Sequence, residues 1–220
     1  LGTVPLQDPA RAAEELAYLV QDLGMAGVEI ATHVDGTPID QAGLDPFWEA
    51  ANELRCLVLF HPNDPLRGLD LGRYFMDNIV GRPAESTVAI GYLLLSGVFE
   101  RYPDLVLCMV HGGGYMPYQI GRWDKGYKMV PHIVGANLSK PPLEYVRKLY
   151  FDSLVHIPET MSYLLELVGP TQVVVGTDYP YEMAERAPVE FIDRVPGLDV
   201  EARAAILGGN VEKILGGIRR

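Results

Sequence analysis

Positive charge is scarce in this chain: 18 Lys and Arg stand against 29 Asp and Glu, a formal net charge of −11. A nucleic-acid-binding surface needs a basic patch that tracks phosphates, and this balance supplies none. A small anionic substrate is not excluded, because a few local arginines suffice for one. Cysteine is scarce too. Cys56 and Cys108 lie in or beside apolar runs; two such residues make no disulfide framework, and they read as reduced, buried thiols of a cytoplasmic protein. No apolar run is long enough to cross a bilayer. The longest, Val88 to Phe99, contains Gly91, Ser96 and Gly97 and reads as a buried helix, so no membrane association is expected. No signal peptide is expected. Short repeats and low-complexity tracts are missing, as is a Gly-x-Gly-x-x-Gly after the first strand, which weakens a dinucleotide-binding reading.

What is present alternates between strand and helix. Apolar runs at Leu1–Val4, Gly27–Thr32, Leu57–Phe60, Leu105–Val110, Leu149–Leu154 and Gln172–Gly176 have the length of buried parallel strands. Between them lie helical patterns, at Ala10–Leu23, Asp45–Leu54, Asp70–Val80, Ala84–Arg101, Tyr115–Tyr127, Glu159–Val168, Ala184–Arg194 and Val200–Leu207. Asp8-Pro9 and Asp45-Pro46 supply an acidic residue followed by a first-turn proline. A Pro/Asn loop fills Pro131 to Pro142. Six βα units imply a parallel sheet, either open and doubly wound or an incomplete (β/α)8 barrel, within one domain spanning residues 1–220. The strand beginning at Leu1 is open at its start, so the chain is expected to be the C-terminal three-quarters or so of a longer protein.

Three of the strand runs end in groups that bind metals or move protons: Phe60-His61-Pro62, Val110-His111-Gly112-Gly113-Gly114 and Gly176-Thr177-Asp178-Tyr179-Pro180. Residues at the carboxyl ends of parallel strands converge on one site. Two imidazoles and a carboxylate delivered there suit a divalent metal with a base beside it. The bland alternatives are a hydrogen-bonded structural imidazole at His61, a tight turn at His111 and a helix cap at Asp178. Three glycines after His111 suggest close approach of backbone to a ligand. His33 and His156 also end strands and are candidates to line the pocket, whereas His132 falls in a loop at the surface. Trp48, Phe75 and Trp123 read as packing.

The ordered set Leu1-Gly2-Thr3-Val4-Pro5-Leu6-Gln7, Gly27-Val28-Glu29-Ile30-Ala31-Thr32-His33-Val34, Phe60-His61-Pro62, Pro83-Ala84-Glu85-Ser86-Thr87, Gly97-Val98-Phe99-Glu100, His111-Gly112-Gly113-Gly114, Leu154-Val155-His156 and Gly176-Thr177-Asp178-Tyr179-Pro180 resembles the amidohydrolase superfamily. Within it, the likeness is to the aminocarboxymuconate-semialdehyde decarboxylase group and related decarboxylases of aromatic acids. The resemblance implies a distorted (β/α)8 barrel with one divalent metal, usually zinc. It implies His61 and Asp178 as metal ligands and His111 as general acid/base beside a metal-bound water. Arg122 falls where a neighbouring subunit's arginine reaches the substrate carboxylate, which implies a homodimer. The family's first-strand His-x-His, which supplies two further ligands, occurs nowhere in this chain.

The expected function is therefore a metal-dependent, non-oxidative decarboxylase of a small carboxylated, aromatic-derived compound. His111 and Asp178 are the expected catalytic groups, His61 and Asp178 the ligands, and Arg122, His33 and His156 the substrate-binding residues. The same groups suit a hydrolase or hydratase that attacks a carbonyl. A non-catalytic fragment with an exposed sheet edge is the third reading.

Overall fold

The computed structural model describes residues 1–63 and 69–219. The chain runs through helix α1 (Pro9–Ala17), which continues as one wider turn over Tyr18–Asp22, then strand β1 (Gly27–Ala31) and a small hairpin of β2 (His33–Val34) with β3 (Thr37–Pro38). Helix α2 (Asp45–Leu54) leads into β4 (Leu57–His61). A turn over Asp77–Gly81 opens α3 (Arg82–Leu95), followed by α4 (Val98–Arg101) and β5 (Val106–Met109). Helices α5 (Met116–Met129), α6 (Pro131–Val134) and α7 (Pro142–Val146) precede β6 (Tyr150–Asp152). Helix α8 (Pro158–Val168), β7 (Val173–Val174), α9 (Pro188–Asp193), α10 (Val200–Ala204) and α11 (Asn210–Gly217) complete the path. Among the described residues, no helix is long and apolar enough to cross a membrane.

Five strands form one parallel sheet in sequence order, β1-β4-β5-β6-β7. Consecutive βα units laid side by side make an arc of a barrel, with no reversal of strand order, and the doubly wound alternative falls away. The expected sixth strand is reduced to a single bridge between Gly2 and Val28. Gly2 makes both ladder bonds, its N–H to Gly27 O and the Glu29 N–H to Gly2 O, each 2.9 Å. Pro5 has no N–H to continue the ladder, and the chain turns away there.

Each helix is explained locally. In α1, the Asp8 side chain accepts the Arg11 N–H and proline takes the first helical position. In α2, Phe47, Trp48, Ala51 and Leu54 recur at helical spacing and are all buried. The helix stops at Arg55, whose backbone is left-handed (φ 49°). The expected helix over Asp70–Val80 shrinks to the turn at Asp77–Gly81, because Tyr74 and Phe75 hold positive φ. Phe75, expected to serve packing, is 46% exposed. The expected helix through Arg101 breaks at Gly97 (φ 77°) into α3 and α4.

Strand side chains alternate between two faces. Val28, Ile30, Val58, Phe60, Leu107, Met109, Phe151 and Val173 point outward into a core shared with the helices, where Trp48 is buried and Trp123 packs at the margin. The opposite, inner face carries Cys108 and Val174 under Ile214, with Leu57, Leu59, Val106 and Tyr150 half-buried around them. Glu29 and Leu59 share a register position on that inner face. Both cysteines are free and buried, and burial pushes the Cys56 thiol up to about 12.

Candidate metal and proton-transfer site

His61 is the last residue of β4 and has the same strand parity as Leu57 and Leu59, so it belongs to the inner face. His111 follows β5 at the first position of a tight turn, and Asp178 lies just beyond β7. These three strand ends meet. One ligand atom from each of His61, His111 and Asp178 lies within 4.8 Å of the others, all three half-buried. The two imidazole rings stand edge to face with centroids 5.4 Å apart. Among the described residues, this is the only cluster of three metal-capable side chains.

The His111 turn is built from close contacts. His111 itself has φ 56°, and Gly112, Gly113 and Gly114 all have positive φ. A Cβ on Gly114 would lie 2.1 Å from Pro83 O, and one on Gly112 would lie 2.4 Å from Val155 Cγ1. The glycines therefore make room for neighbouring protein, which corrects the expectation that they make room for a ligand. His156 and Asp178 also hold positive φ, 57° and 53°. Three functional candidates with side chains share a conformation that glycine normally takes, and such outliers concentrate at functional sites.

Sequence reasoning missed Asp152. It ends β6 on the inner face, is almost wholly buried, and accepts the Gly112 N–H at 2.8 Å and the Leu154 N–H at 3.1 Å. Burial pushes its carboxyl up to about 6, against the pull of backbone N–H groups from Gly112, His111 and Leu154, and nearby Asp178 raises it further. A Cβ on Gly176 would lie 2.7 Å from Asp152 Cβ, so glycine there lets β7 pass this carboxylate. Burial, which sequence does not display, separates Asp152 from an ordinary strand-end aspartate.

Electrostatics favour a neutral His111. Burial pulls its imidazole down to about 4, helped by His61, His156 and Arg82. Its Nδ1 is buried without a hydrogen-bond partner. Three cavities meet at this residue. One, of about 400 Å³, is lined by His61, Cys108, His111, Asp152 and Asp178. The second, of about 380 Å³, contains His111, Asp178, His156, Arg82 and Tyr115. The third is lined by His61, Asn63, Arg82 and Asp178 as well.

The remaining sequence candidates separate. His156 is beside the cluster, on the wall of the second cavity. His33 is not brought to it: it sits in β2, accepts the Gly36 N–H at Nδ1 and lies 3.9 Å from the buried Glu85. Glu85 also accepts from Thr32 and from the Asn63 N–H, and so joins the ends of β1 and β4. His33 borders a different cavity, with Glu29 and Asp35. Arg122 is exposed on α5, away from all three cavities that hold His111 and Asp178. His132 is exposed, as expected.

The match to known families settles what the geometry belongs to. Residues 1–217 match the family model described as Amidohydrolase. The chain belongs to the amidohydrolase family. Over 216 residues this amidohydrolase is 34% identical to 2-amino-3-carboxymuconate-6-semialdehyde decarboxylase of Dictyostelium discoideum, covering 98% of the chain and 60% of the relative. Over 208 residues it is 29% identical to gamma-resorcylate decarboxylase of Rhizobium sp., covering 84% of the chain and 61% of the relative. Among solved structures, 5-carboxyvanillate decarboxylase from Sphingomonas paucimobilis superposes with TM-score 0.89 at 29% identity, over 100% of this chain and 66% of that one. The chain thus spans about 60% of the length of the curated relatives it matches.

Proposed function

We propose that this amidohydrolase acts as a metal-dependent, non-oxidative decarboxylase of small aromatic-derived carboxylates. The observation that carries the reading is the meeting of His61, His111 and Asp178 at three strand ends, within 4.8 Å. The relatives support it through their own activities, since each named above is a decarboxylase. A hydrolase shares the donor set, and no feature of the site favours it.

The donor set fits a divalent ion. Zinc bonds to imidazole and carboxylate of about 2.0–2.2 Å demand donors nearly this close, and the unpartnered His111 Nδ1 shows that protein groups do not already satisfy the cluster. Manganese is named in the solved structure of a dihydroxybenzoic acid decarboxylase from Polaromonas, which is similar in fold; zinc is the ion proposed here. His61 and Asp178 would hold it, with further ligands from outside this cluster. A bound divalent ion supplies Lewis acidity that polarises a substrate oxygen.

The protein's own residues do the rest. Decarboxylation breaks the bond from ring carbon to carboxylate, leaves the electron pair on the ring, and replaces carbon dioxide with a proton. A neutral His111 takes up a proton and delivers it to that carbon. Asp152 holds the His111 turn through Gly112. We further propose a cytoplasmic homodimer in which Arg122 serves the partner's site, because its exposed place on α5 does not serve its own.

The test is carbon dioxide release from a panel of aromatic acids by the metal-loaded protein expressed from its complete coding sequence. His111→Ala should lower turnover by about two to four orders of magnitude with metal content near normal. Equal loss of metal and activity would make His111 a ligand instead. Absence of carbon dioxide release from every acid in the panel would refute the reading.

A further inference from the structure

Arg82 was not among the residues that the sequence singled out, yet it forms part of the cavity wall facing His111 and Asp178. It is the first residue of α3 and half-buried. Its Nη1 donates to Pro62 O at 2.8 Å, immediately after His61. Among the described residues, that is its one hydrogen bond, and it has no ion-pair partner. A guanidinium carries five N–H donors in a planar fork. In a protein with an excess of acid, a half-buried arginine without a carboxylate partner among the described residues is a charge set toward something else. The cavity it faces also has Tyr115, held by its hydroxyl against Ile79 O and Val80 O at 3.3 and 3.4 Å, and an apolar wall at Leu154. Its volume of about 380 Å³ suits one substituted ring.

We propose that Arg82 is the specificity-determining anchor for a carboxylate that the substrate keeps, so that this protein prefers substrates with two acidic groups; this rests on the decarboxylase reading. The retained group, and not the departing one, follows from transition-state logic. Negative charge leaves the reacting carboxylate as its carbon–carbon bond breaks. A cation placed there would stabilise the ground state more than the transition state and would slow the step. A cation on a second carboxylate, whose charge does not change, binds both states equally and fixes the ring relative to His111. The bidentate match of guanidinium to carboxylate sets that orientation.

Isothermal titration of the metal-loaded protein, expressed from its complete coding sequence, with benzene-1,3-dicarboxylate and with benzoate reads the preference without turnover. The wild type should bind the diacid at least about ten-fold more tightly, the scale of one charge-assisted pair. Arg82→Gln keeps a donor for Pro62 O but loses the charge. It should erase the preference while benzoate affinity, bound metal and Tm stay near wild type. Arg82→Lys should retain part of the preference. A wild type without preference, or a preference that survives in Arg82→Gln, overturns the proposal. Loss of fold or of metal in both variants also overturns it, since Arg82 would then only support the end of β4. A protein that shows the preference but releases carbon dioxide from no aromatic acid would sink the decarboxylase reading and leave the anchor standing.

Discussion

At the residue scale, Asp152 is the most consequential side chain outside the cluster. Its Oδ1 takes two buried backbone donors, Gly112 and Leu154. Removing the acceptor strands both, at about 1–3 kcal/mol each. Asp152→Ala should therefore lower stability by about 2–6 kcal/mol, measured as a shift in the urea midpoint at unchanged slope. Asp152→Asn keeps an oxygen in place and should lose much less. Equal losses would mean that the charge, not the accepted hydrogen bonds, carries the effect. His61, His111 and Asp178 were legible in the sequence because each follows an apolar run and lies within two residues of a glycine or proline. Arg82 was not, because its meaning depends on which carboxylates lie near it in space, and helical spacing does not report that. His33 looked equivalent to His156 in the sequence; only the β2–β3 hairpin, which no strand pattern announced, turns it toward Glu85.

At the scale of elements, α4 is fastened to the segment before α7 by one carboxylate. Glu100 accepts the Ser139 N–H at 2.7 Å, the Ser139 hydroxyl at 2.6 Å, and the Tyr145 hydroxyl. Hydrogen bonds from Ser139, then Tyr145, hold the Glu100 carboxyl down at about 2. A carboxyl depressed by folding contributes stability above its unfolded value, and the contribution is lost as pH falls through the folded one. Wild type should thus exceed Glu100→Gln in stability near pH 7, with the gap closing between about pH 4.5 and 2. Because Glu100 is exposed, water screens the effect and the gap should stay at or below about 1 kcal/mol. A gap that widened on acidification in chemical-denaturation curves would contradict this account. The parallel order of β1, β4, β5, β6 and β7 was readable from the alternation of runs. Where β-ladders and helices stop was less so. Pro5 ends the first pairing, and positive φ at Tyr74 and Phe75 shortens the helix before α3. Both are local backbone events that periodicity averages away.

At the scale of the whole molecule, the proposed dimer gives the exposed arginine on α5 a role at a distance. Arg122 and His111 belong to one chain but, on the proposed dimer, to different sites. Inactive Arg122→Ala and His111→Ala proteins, mixed and allowed to exchange, should then restore about a quarter of wild-type activity, because half the molecules are mixed and each mixed dimer has one complete site. No recovery in verified mixed dimers would leave Arg122 as a surface residue.

The order of the strands has a further consequence. His61 and Asp178 are more than a hundred residues apart in the chain, and only the docked sheet brings them together. An unfolded chain offers no such constellation, so an ion held there binds the native state alone. Its binding energy adds to folding by mass action, about 2.7 kcal/mol at a free concentration one hundred times Kd. With the proposed ion bound, the cluster would work as a latch on the strand arc: chelation should loosen the whole domain, and the melting temperature should become a readout of how much metal the solution offers.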